Sequence, residues 1–255
     1  MDDTALLELA ADLAYRAGQV IMAVRARGFE TMRKADHSPV TEADHAAEAL
    51  IVQGLRAAVP GIPVIAEEEI EAGLAPDGGR EYWLVDPLDG TREYAAGRDE
   101  FTVNIGLVRD GLAVLGAVDV PAYGELFAGA LPGTAWKQTR GGRVAIAARA
   151  PPEAGVDVFA SRHYAADPRL DSFLQGRRVA SVSHIGSALK IVRLAEGAGD
   201  LYPRFGRTME WDTAAPQAVL EAAGGGLHTL EGASLRYGKP GWANPPFVCM
   251  GRGHG

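Results

Sequence analysis

Acidic side chains stand where apolar segments of this sequence end, and they are the residues best suited to chemistry. They follow two predicted strands and begin a predicted helix: Glu67, Glu68, Glu69, Asp86, Asp89 and Asp212. Carboxylates that are brought together repel one another unless cations lie between them. Magnesium satisfies such a group with one or two carboxylates, waters and phosphate oxygens. The pattern therefore predicts a divalent-cation site.

The segment WLVDPLDGT concentrates this chemistry in a short stretch. Because Pro87 fixes φ and has no N–H, we expect it to end the strand and to place Asp86 and Asp89 around a tight turn. The carbonyl of Leu88 lies between the two carboxylates and is a natural extra ligand. The dipeptide Gly90-Thr91 is then expected to open a helix, whose free backbone N–H groups hold a phosphate.

Each of these features also has a purely structural explanation. An Asp-Gly pair is often only a turn, and Glu67–Glu69 alone reads as a solvated loop. Asp212 at a helix start reads as an N-cap, and Thr41 with Asp44 forms a credible capping box. It is the occurrence of these motifs in order along one chain that favours a catalytic site.

Composition narrows the classes of protein that fit. The chain has 255 residues, 47% of them hydrophobic and 23% charged, which is typical of a globular protein. A net charge of −8 argues against a nucleic-acid polymer as partner. No apolar run approaches the ~18 residues of a membrane span, so we expect no membrane insertion; peripheral association stays open. The histidines show no HxxxH spacing, and zinc is not expected.

The compartment and the assembly are less constrained. The N-terminus lacks the basic region of a signal peptide, and the single cysteine, Cys249, forms no intrachain disulfide. We therefore expect a cytoplasmic protein, with peripheral association at the inner membrane left open. The oligomeric state does not follow from the sequence.

Apolar patterns predict the elements that must position the acidic residues. Helical stripes cover residues 6–24 and 47–58, the second stopped by Pro60-Gly61. Strands are predicted at IPVIA, EYWLVDP, FTVNIGLV and LAVLGAVDV, the last two joined by a hairpin turn at residues 109–111. We read these segments as an N-terminal α+β half, residues 1–150, that carries most of the metal ligands.

Beyond residue 150 the pattern changes to alternating strands and helices. VDVFAS, RRVASVS and GDLYPRF are predicted strands, and GSALKIVRLAEG and DTAAPQAVLEAAGG are predicted helices with glycine stops. This C-terminal α/β half, residues 151–255, is expected to carry the substrate contacts and Asp212.

Taken together, EE at residues 67–68, DPLDGT at residues 86–91 and WDTAA at residues 211–215 resemble the inositol monophosphatase superfamily of lithium-sensitive magnesium phosphatases. The resemblance runs over nearly the whole chain. It implies a layered α/β/α/β/α sandwich that binds two or three Mg²⁺ ions and hydrolyses a small phosphate monoester with a metal-activated water.

The resemblance also implies a role for each matching residue. The ligands of the ion that activates the water are Glu67, Asp86 and the carbonyl of Leu88. The ligands of the ion beside the leaving oxygen are Asp86, Asp89 and Asp212. The residues that orient and deprotonate the water are Asp44 and Thr91, supported by Glu68. The substrate contacts are Gly90, Thr91, Gly186, Ser187, Lys190, Arg204 and Asp212.

Within the superfamily the chain most resembles the CysQ-type 3′(2′),5′-bisphosphate nucleotidases, on the strings KADHSPVT at residues 34–41, FTVNI, IGSALK and LYPRFG. This resemblance implies removal of the 3′-phosphate of adenosine 3′,5′-bisphosphate, a by-product of sulfate activation, to leave AMP. Arg204 stands near the place where inositol phosphatases have an acidic residue, and an arginine grips a second phosphate bidentately. Gly186, Ser187 and Lys190 are expected to open a helix, which is a second place for an anion.

Other interpretations stay open. Lys190 and Arg204 also read as ordinary surface charges, and Ser187 as a plain helix cap. Inositol monophosphate, histidinol phosphate and fructose bisphosphate are alternative substrates. The string SALK at residues 187–190 matches the S-x-x-K motif of serine acyl hydrolases, although neither SDN nor KTG accompanies it. A non-catalytic nucleotide or metal sensor is the third alternative. Arg207 and Glu210 depart from the family pattern.

Overall fold

The helices and strands are defined for most of the chain, since the computed structural model describes residues 1–34, 39–74, 77–131, 133–164 and 166–253. The α-helices in these ranges are α1 (Asp3–Arg27), α2 (Glu42–Ala58), α3 (Glu67–Glu71), α4 (Thr91–Ala95), α5 (Pro168–Leu174), α6 (Leu189–Ala195) and α7 (Glu210–Ala222). The strands are β1 (Thr31–Arg33), β2 (Pro39–Thr41), β3 (Val64–Ala66), β4 (Glu81–Asp89), β5 (Thr102–Arg109), β6 (Leu112–Val120), β7 (Glu125–Ala130), β8 (Thr134–Thr139), β9 (Gly142–Ala145), β10 (Val156–Ser161), β11 (Val179–Ile185), β12 (Leu201–Arg204), β13 (Gly226–Thr229) and β14 (Phe247–Met250). Short 3₁₀-helices lie at Arg162–Tyr164 and Pro240–Trp242.

Two sheets form the frame of the described part of the chain. The larger has the strand order β3-β4-β5-β6-β7-β8-β9, in which β3 runs parallel to β4 and the other neighbours are antiparallel. The smaller has the order β11-β10-β12-β14-β13, and β1 pairs with β2 alone. The hairpin turn predicted at residues 109–111 is confirmed, because Asp110 and Gly111 both have positive φ between β5 and β6.

Helices cover both faces of the larger sheet. The helices α1 and α2 share an apolar core with Trp83 and Val85, whereas α6 and α7 share another with Leu84. Neighbouring residues of a strand point to opposite faces, so Trp83 and Leu84 enter different cores. The smaller sheet packs beyond α6 and α7, and Phe173 of α5 packs with apolar side chains of that sheet. The predicted α/β/α/β/α sandwich is confirmed.

The helix α7 lies unusually close to the larger sheet. A Cβ atom on Gly116 of β6 would lie 2.4 Å from the carbonyl oxygen of Ala215, and one on Gly106 of β5 would lie 2.7 Å from the amide nitrogen of Ala215. Only glycine allows this approach of two backbones. The contact fixes the start of α7, which carries Asp212, next to the end of β4.

The strand that carries the acidic turn differs from the prediction. The expectation that Pro87 ends the strand is wrong, since β4 continues to Asp89 with a shift in its pairing to β5 after Asp86. The neighbour on the other side, β3, already ends opposite Val85, so no strand there requires an N–H from position 87. A proline is therefore tolerated in this bulge.

Two helix starts in the C-terminal half also differ from the prediction. The helix expected from Gly186 begins at Leu189, because Ser187 has a φ of 49° that no α-helix contains. The helix α7 begins at Glu210, so that Asp212 is its third residue and not its N-cap.

The sequence boundary near residue 150 falls between the two sheets, but α7 from the second half packs on the sheet of the first. The division into separate units of residues 1–150 and 151–255 therefore stays a prediction. No helix within the described ranges has both the length and the apolarity that crossing a membrane requires.

Candidate active site

A cavity of about 610 Å³ opens where the acidic turn of β4 meets the starts of α3, α4, α6 and α7. Most of the predicted site residues line it: Glu67, Asp86, Leu88, Asp89, Gly90, Thr91, Gly186, Ser187, Lys190, Arg204 and Asp212. The two others, Asp44 and Glu68, are buried beside it, and each bonds to a side chain that lines it.

The acidic turn is held by its own hydrogen bonds. The Asp86 carboxylate accepts from the Leu88 amide at 3.0 Å, and the Leu88 carbonyl accepts from Thr91 Oγ1 at 2.9 Å. Gly90 has a φ of 93°, and a Cβ there would lie 3.0 Å from the carbonyl oxygen of Glu100. Both the positive φ and the lack of space for a side chain therefore require glycine at this position. Thr91 follows as the first residue of α4, as the sequence predicts.

Electrostatic repulsion connects the carboxylates around the cavity. Burial raises the pKa of Asp86 well above its ordinary value, and the charges of Glu67, Asp89 and Asp212 raise it further. Burial is also the largest cause of the raised pKa of Asp212, and the charges of Asp89 and Glu67 raise it further. A donor set made of oxygen atoms, with negative charge in excess, fits a hard divalent cation such as Mg²⁺.

Lys34 organises the glutamates on one wall. Its Nζ lies 2.8 Å from Glu67 Oε1, 2.7 Å from Glu68 Oε1 and 2.8 Å from Glu71 Oε2. Among the residues that the structure describes, these glutamates are the one trio of acidic, histidine or cysteine side chains with ligand atoms within 4.8 Å of one another. The Lys34 ammonium compensates the negative charge of these three glutamates. The trio is therefore distinct from the predicted set of magnesium ligands, and Glu67 is the one residue that belongs to both. The remainder of the string that begins at Lys34, residues 35–38, lies outside the described residues.

Asp44 makes the contacts that each of its two predicted roles requires. Its Oδ2 accepts from the Thr41 amide at 2.8 Å and from Thr41 Oγ1 at 2.7 Å, which completes the capping box of α2. Its Oδ1 accepts from Thr91 Oγ1 at 3.0 Å. Burial raises the pKa of Asp44, and the hydrogen bonds from Thr41 and Thr91 partly offset that rise. One carboxylate therefore joins the start of α2 to the acidic turn.

Asp89 and Lys190 connect the turn to the segment before α6. The Asp89 carboxylate accepts from the Ala188 amide, and Ser187 Oγ accepts from the Leu189 amide at 3.1 Å. The Lys190 ammonium donates to the Ser187 carbonyl at 2.6 Å and to a second backbone carbonyl. Burial lowers the pKa of Lys190 to about 7. The amides of Ala188 and Leu189 thus have partners within the protein, and the anion site expected at Gly186, Ser187 and Lys190 stays a prediction.

Basic and aromatic side chains line the outer part of the cavity. The Arg204 guanidinium lies 4.9 Å from the centre of the Tyr164 ring, and its Nη2 donates to the Arg207 carbonyl at 3.0 Å. His163 Nε2 lies 2.8 Å from Glu93 Oε1. Sequence reasoning missed His163 and Tyr164, because no motif surrounds them. The pairing of β10 with β12 brings Tyr164 next to Arg204.

Glu210 acquires a structural explanation. Its fully buried carboxylate accepts from the amides of Gly238 and Lys239, each at 2.8 Å, and pairs with Lys239 Nζ at 2.6 Å. This contact holds the segment that contains Gly241, which lines the cavity, against the start of α7. A departure from the family pattern thus fixes one rim of the site.

Comparison with known proteins identifies the family of the chain. The sequence profile described as "Inositol monophosphatase family" matches residues 2–250. The chain belongs to the inositol monophosphatase family. A relative in Salmonella typhimurium, named 3′(2′),5′-bisphosphate nucleotidase CysQ, is 43% identical over 95% of this chain and 98% of its own length.

Solved structures of the family share the fold. The crystal structure of CysQ from Bacteroides thetaiotaomicron superposes with a TM-score of 0.82 at 30% identity, covering 97% of each chain. An inositol monophosphatase from Anabaena superposes with a TM-score of 0.76 at 25% identity, covering 97% of this chain and 90% of its own. Proteins named CysQ and inositol monophosphatase thus share this fold.

Replacing Asp86 with Asn should stabilise the protein in EDTA, since it removes one of the repelling charges. At pH 8 we expect the melting temperature of Asp86→Asn to exceed that of the wild type by a few degrees. The folded state raises the pKa of Asp86, so it binds the proton more readily than the unfolded chain does. The difference in melting temperature between the variant and the wild type should therefore shrink as the pH falls from 8 toward 5.

Thermal unfolding in EDTA across this pH range checks the prediction. Asp110→Asn is the control, because the Asp110 carboxylate is exposed and pairs with Arg80. A melting temperature of Asp86→Asn at or below that of the wild type at pH 8 would show that repulsion does not dominate the site. Added Mg²⁺ should raise the melting temperature of the wild type more than that of the variant.

Proposed function

We propose that this protein is a magnesium-dependent 3′(2′),5′-bisphosphate nucleotidase that hydrolyses the 3′-phosphate of adenosine 3′,5′-bisphosphate to give AMP and phosphate. The observation that carries the proposal is the contact of Thr91 Oγ1 with Asp44 Oδ1, at 3.0 Å, beside the carboxylate cluster. A site that only binds a metal or a nucleotide has no need of a hydroxyl and a buried carboxylate paired in this way. The name of the Salmonella relative supports the same reaction.

Magnesium fits the donors that surround the cavity. We propose that two or three ions are held by the carboxylates and one carbonyl of the predicted set: Glu67, Asp86, Asp89, Asp212 and Leu88 O. When bound, magnesium stabilises negative charge on the phosphoryl and leaving oxygens and lowers the pKa of water. The protein contributes the arrangement of ligands and the groups that move the proton.

Thr91 and Asp44 form the proton path. A hydroxyl has one proton, so Thr91 donates either to Asp44 or to the Leu88 carbonyl. When Thr91 donates to Asp44, its lone pairs can accept a hydrogen bond from a water in the cavity. The water proton then passes to Thr91 as the Thr91 proton passes to Asp44. The raised pKa of Asp44 favours its action as a base.

Arg204 supports a substrate with two phosphates. It lines the cavity, and its buried Nε has no hydrogen-bond partner among the described residues. A guanidinium with an unused donor suits a phosphate that is bound but not cleaved. His163 and Tyr164 complete this outer region, which we propose receives the 5′-phosphate and the nucleoside.

The alternative functions are less well supported by the contacts. In a serine hydrolase the lysine of S-x-x-K contacts the serine hydroxyl, whereas here Lys190 donates to backbone carbonyls and Ser187 Oγ caps Leu189. A non-catalytic sensor does not explain the pair of Thr91 and Asp44. Another sugar phosphate keeps every catalytic contact and differs only in the outer region, so it is the alternative to test.

Phosphate release from a small panel tests the proposal directly. The panel contains adenosine 3′,5′-bisphosphate, adenosine 3′-monophosphate, inositol 1-phosphate and histidinol phosphate, each with Mg²⁺ and with EDTA. We expect the highest kcat/KM for the bisphosphate and no turnover in EDTA. Full activity after chelation would disprove metal dependence, and a preference for inositol 1-phosphate would disprove the nucleotidase assignment alone.

Asp44→Asn should separate the cap from the catalyst. An amide replaces only one oxygen, so the variant loses part of the capping box or the bond to Thr91, at a cost of about 1 kcal/mol in the free energy of unfolding. The loss of the base should lower kcat by roughly 100-fold or more. Urea unfolding and phosphate release measure the two effects.

Asp167→Asn is the matched control for Asp44, because the Asp167 side chain caps α5 but does not line the cavity. It should lose at most a little stability, because asparagine caps a helix about as well as aspartate, and its kcat should be unchanged. A stable Asp44→Asn protein with wild-type kcat would contradict the proton path.

Arg204→Ala should damage chiefly the reaction of the bisphosphate. Losing a charge-assisted contact to the second phosphate should cost roughly 2–4 kcal/mol, or about 30- to 1000-fold in kcat/KM. Adenosine 3′-monophosphate lacks that phosphate, so its kcat/KM should change little. Arg177→Ala is the control, since Arg177 also stacks on an aromatic ring, that of Phe173, outside the cavity. Equal losses for both substrates would show that Arg204 serves the reacting phosphate or the fold.

A further inference from the structure

The short helix α3, which carries Glu67 and Glu68, has no capping side chain at its own N-terminus. The helix α3 begins directly after β3, and its N-cap residue, Ala66, makes no side-chain hydrogen bond. Ala66 is fully buried, so a polar capping side chain at that position would enter the apolar core. The first amides of α3 must therefore find acceptors elsewhere in the molecule.

Glu48 of α2 supplies these acceptors. Its Oε2 accepts from the Glu68 amide at 2.8 Å, and its Oε1 accepts from the Glu69 amide at 2.9 Å. Only 6% of Glu48 is exposed, and no ion pair of its carboxylate is found among the described residues. A buried carboxylate so close to other glutamates is unfavourable in itself. Its two bonds to α3 are the compensation that the structure provides.

We propose that Glu48 is a positioning residue for magnesium binding: it fixes the backbone of α3 so that Glu67 faces the cavity. The inference rests on the proposed function, since it assigns Glu67 to the metal. Glu48 stands four residues after Asp44 and therefore on the same face of α2. One face of α2 thus carries Asp44, the proposed base, and Glu48, which caps the helix α3 that carries Glu67.

Glu48→Gln and Glu48→Ala test the proposal by Mg²⁺ titration calorimetry on EDTA-stripped protein. Gln keeps one acceptor and loses one bond, whereas Ala loses both. We expect Mg²⁺ affinity to fall about 10-fold in Glu48→Gln and further, toward about 100-fold, in Glu48→Ala. At saturating Mg²⁺, kcat of Glu48→Gln should recover to within about threefold of the wild type with KM unchanged.

Arg56→Gln is the matched control. Arg56 also joins α2 to α3, through two bonds to the Glu69 carboxylate at 2.8 and 2.7 Å, but it touches no amide of the turn. Its Mg²⁺ affinity should stay within about threefold of the wild type. If Arg56→Gln weakens binding as much as Glu48→Gln does, general docking of the two helices explains the effect and the proposal is wrong.

The graded series also separates position from charge. Both Glu48 variants lose the same negative charge, so equal losses of affinity that disappear in high salt would overturn the proposal. If Glu48→Ala does not fold, Glu48→Gln and Arg56→Gln still decide the outcome. If the wild type binds Mg²⁺ and both Glu48 variants bind it with the same affinity, this inference is refuted but the proposed function is not. A wild type that neither binds Mg²⁺ nor releases phosphate would refute the proposed function as well.

Discussion

Repulsion between buried carboxylates is the constraint on which the arrangement of this molecule depends. Three carboxylates of the cavity each have a donor within the protein. The Asp86 side chain accepts from the Leu88 amide, that of Asp212 accepts from the Met209 amide at 2.9 Å, and that of Glu67 pairs with Lys34. The three carboxylates belong to different elements, β4, α7 and α3, so their charges meet only when the whole frame is in place.

The frame withstands this repulsion because its two cores are large and its layers lie close together. The contact of α7 with the glycines of β5 and β6 leaves no room for adjustment, since a single Cβ atom would meet the helix backbone. Protein interiors transmit such constraints because they are packed as densely as crystals of small molecules. The start of α7, and with it Asp212, is thereby fixed relative to the acidic turn of β4.

Structural contacts and the proposed catalytic contacts coincide in the same side chains. Asp44 caps α2 with one oxygen and contacts Thr91 with the other, and Glu48 caps α3 one helical turn further along. A helix that begins in this way is stabilised by the groups that the proposed reaction uses. The capping box, which the sequence presented as the structural explanation of Asp44, is confirmed, and the contact with Thr91 is compatible with the proposed catalytic role of the same residue.

The sequence by itself predicted α1, α2, the strands from β3 to β6 and the acidic side chains near their ends, because those features depend on local periodicity and on short motifs. The layered fold followed from the resemblance to a family. The sequence also predicted the pairing of Asp44 with Thr91, through the same resemblance. It did not determine how Pro87 fits into β4, where α6 begins, or that Lys34 and Glu48 bond to the helix α3. Those features depend on which strands end beside Pro87 and which helix faces α3. Contacts between residues far apart in the chain decide them, and only the tertiary structure contains such contacts.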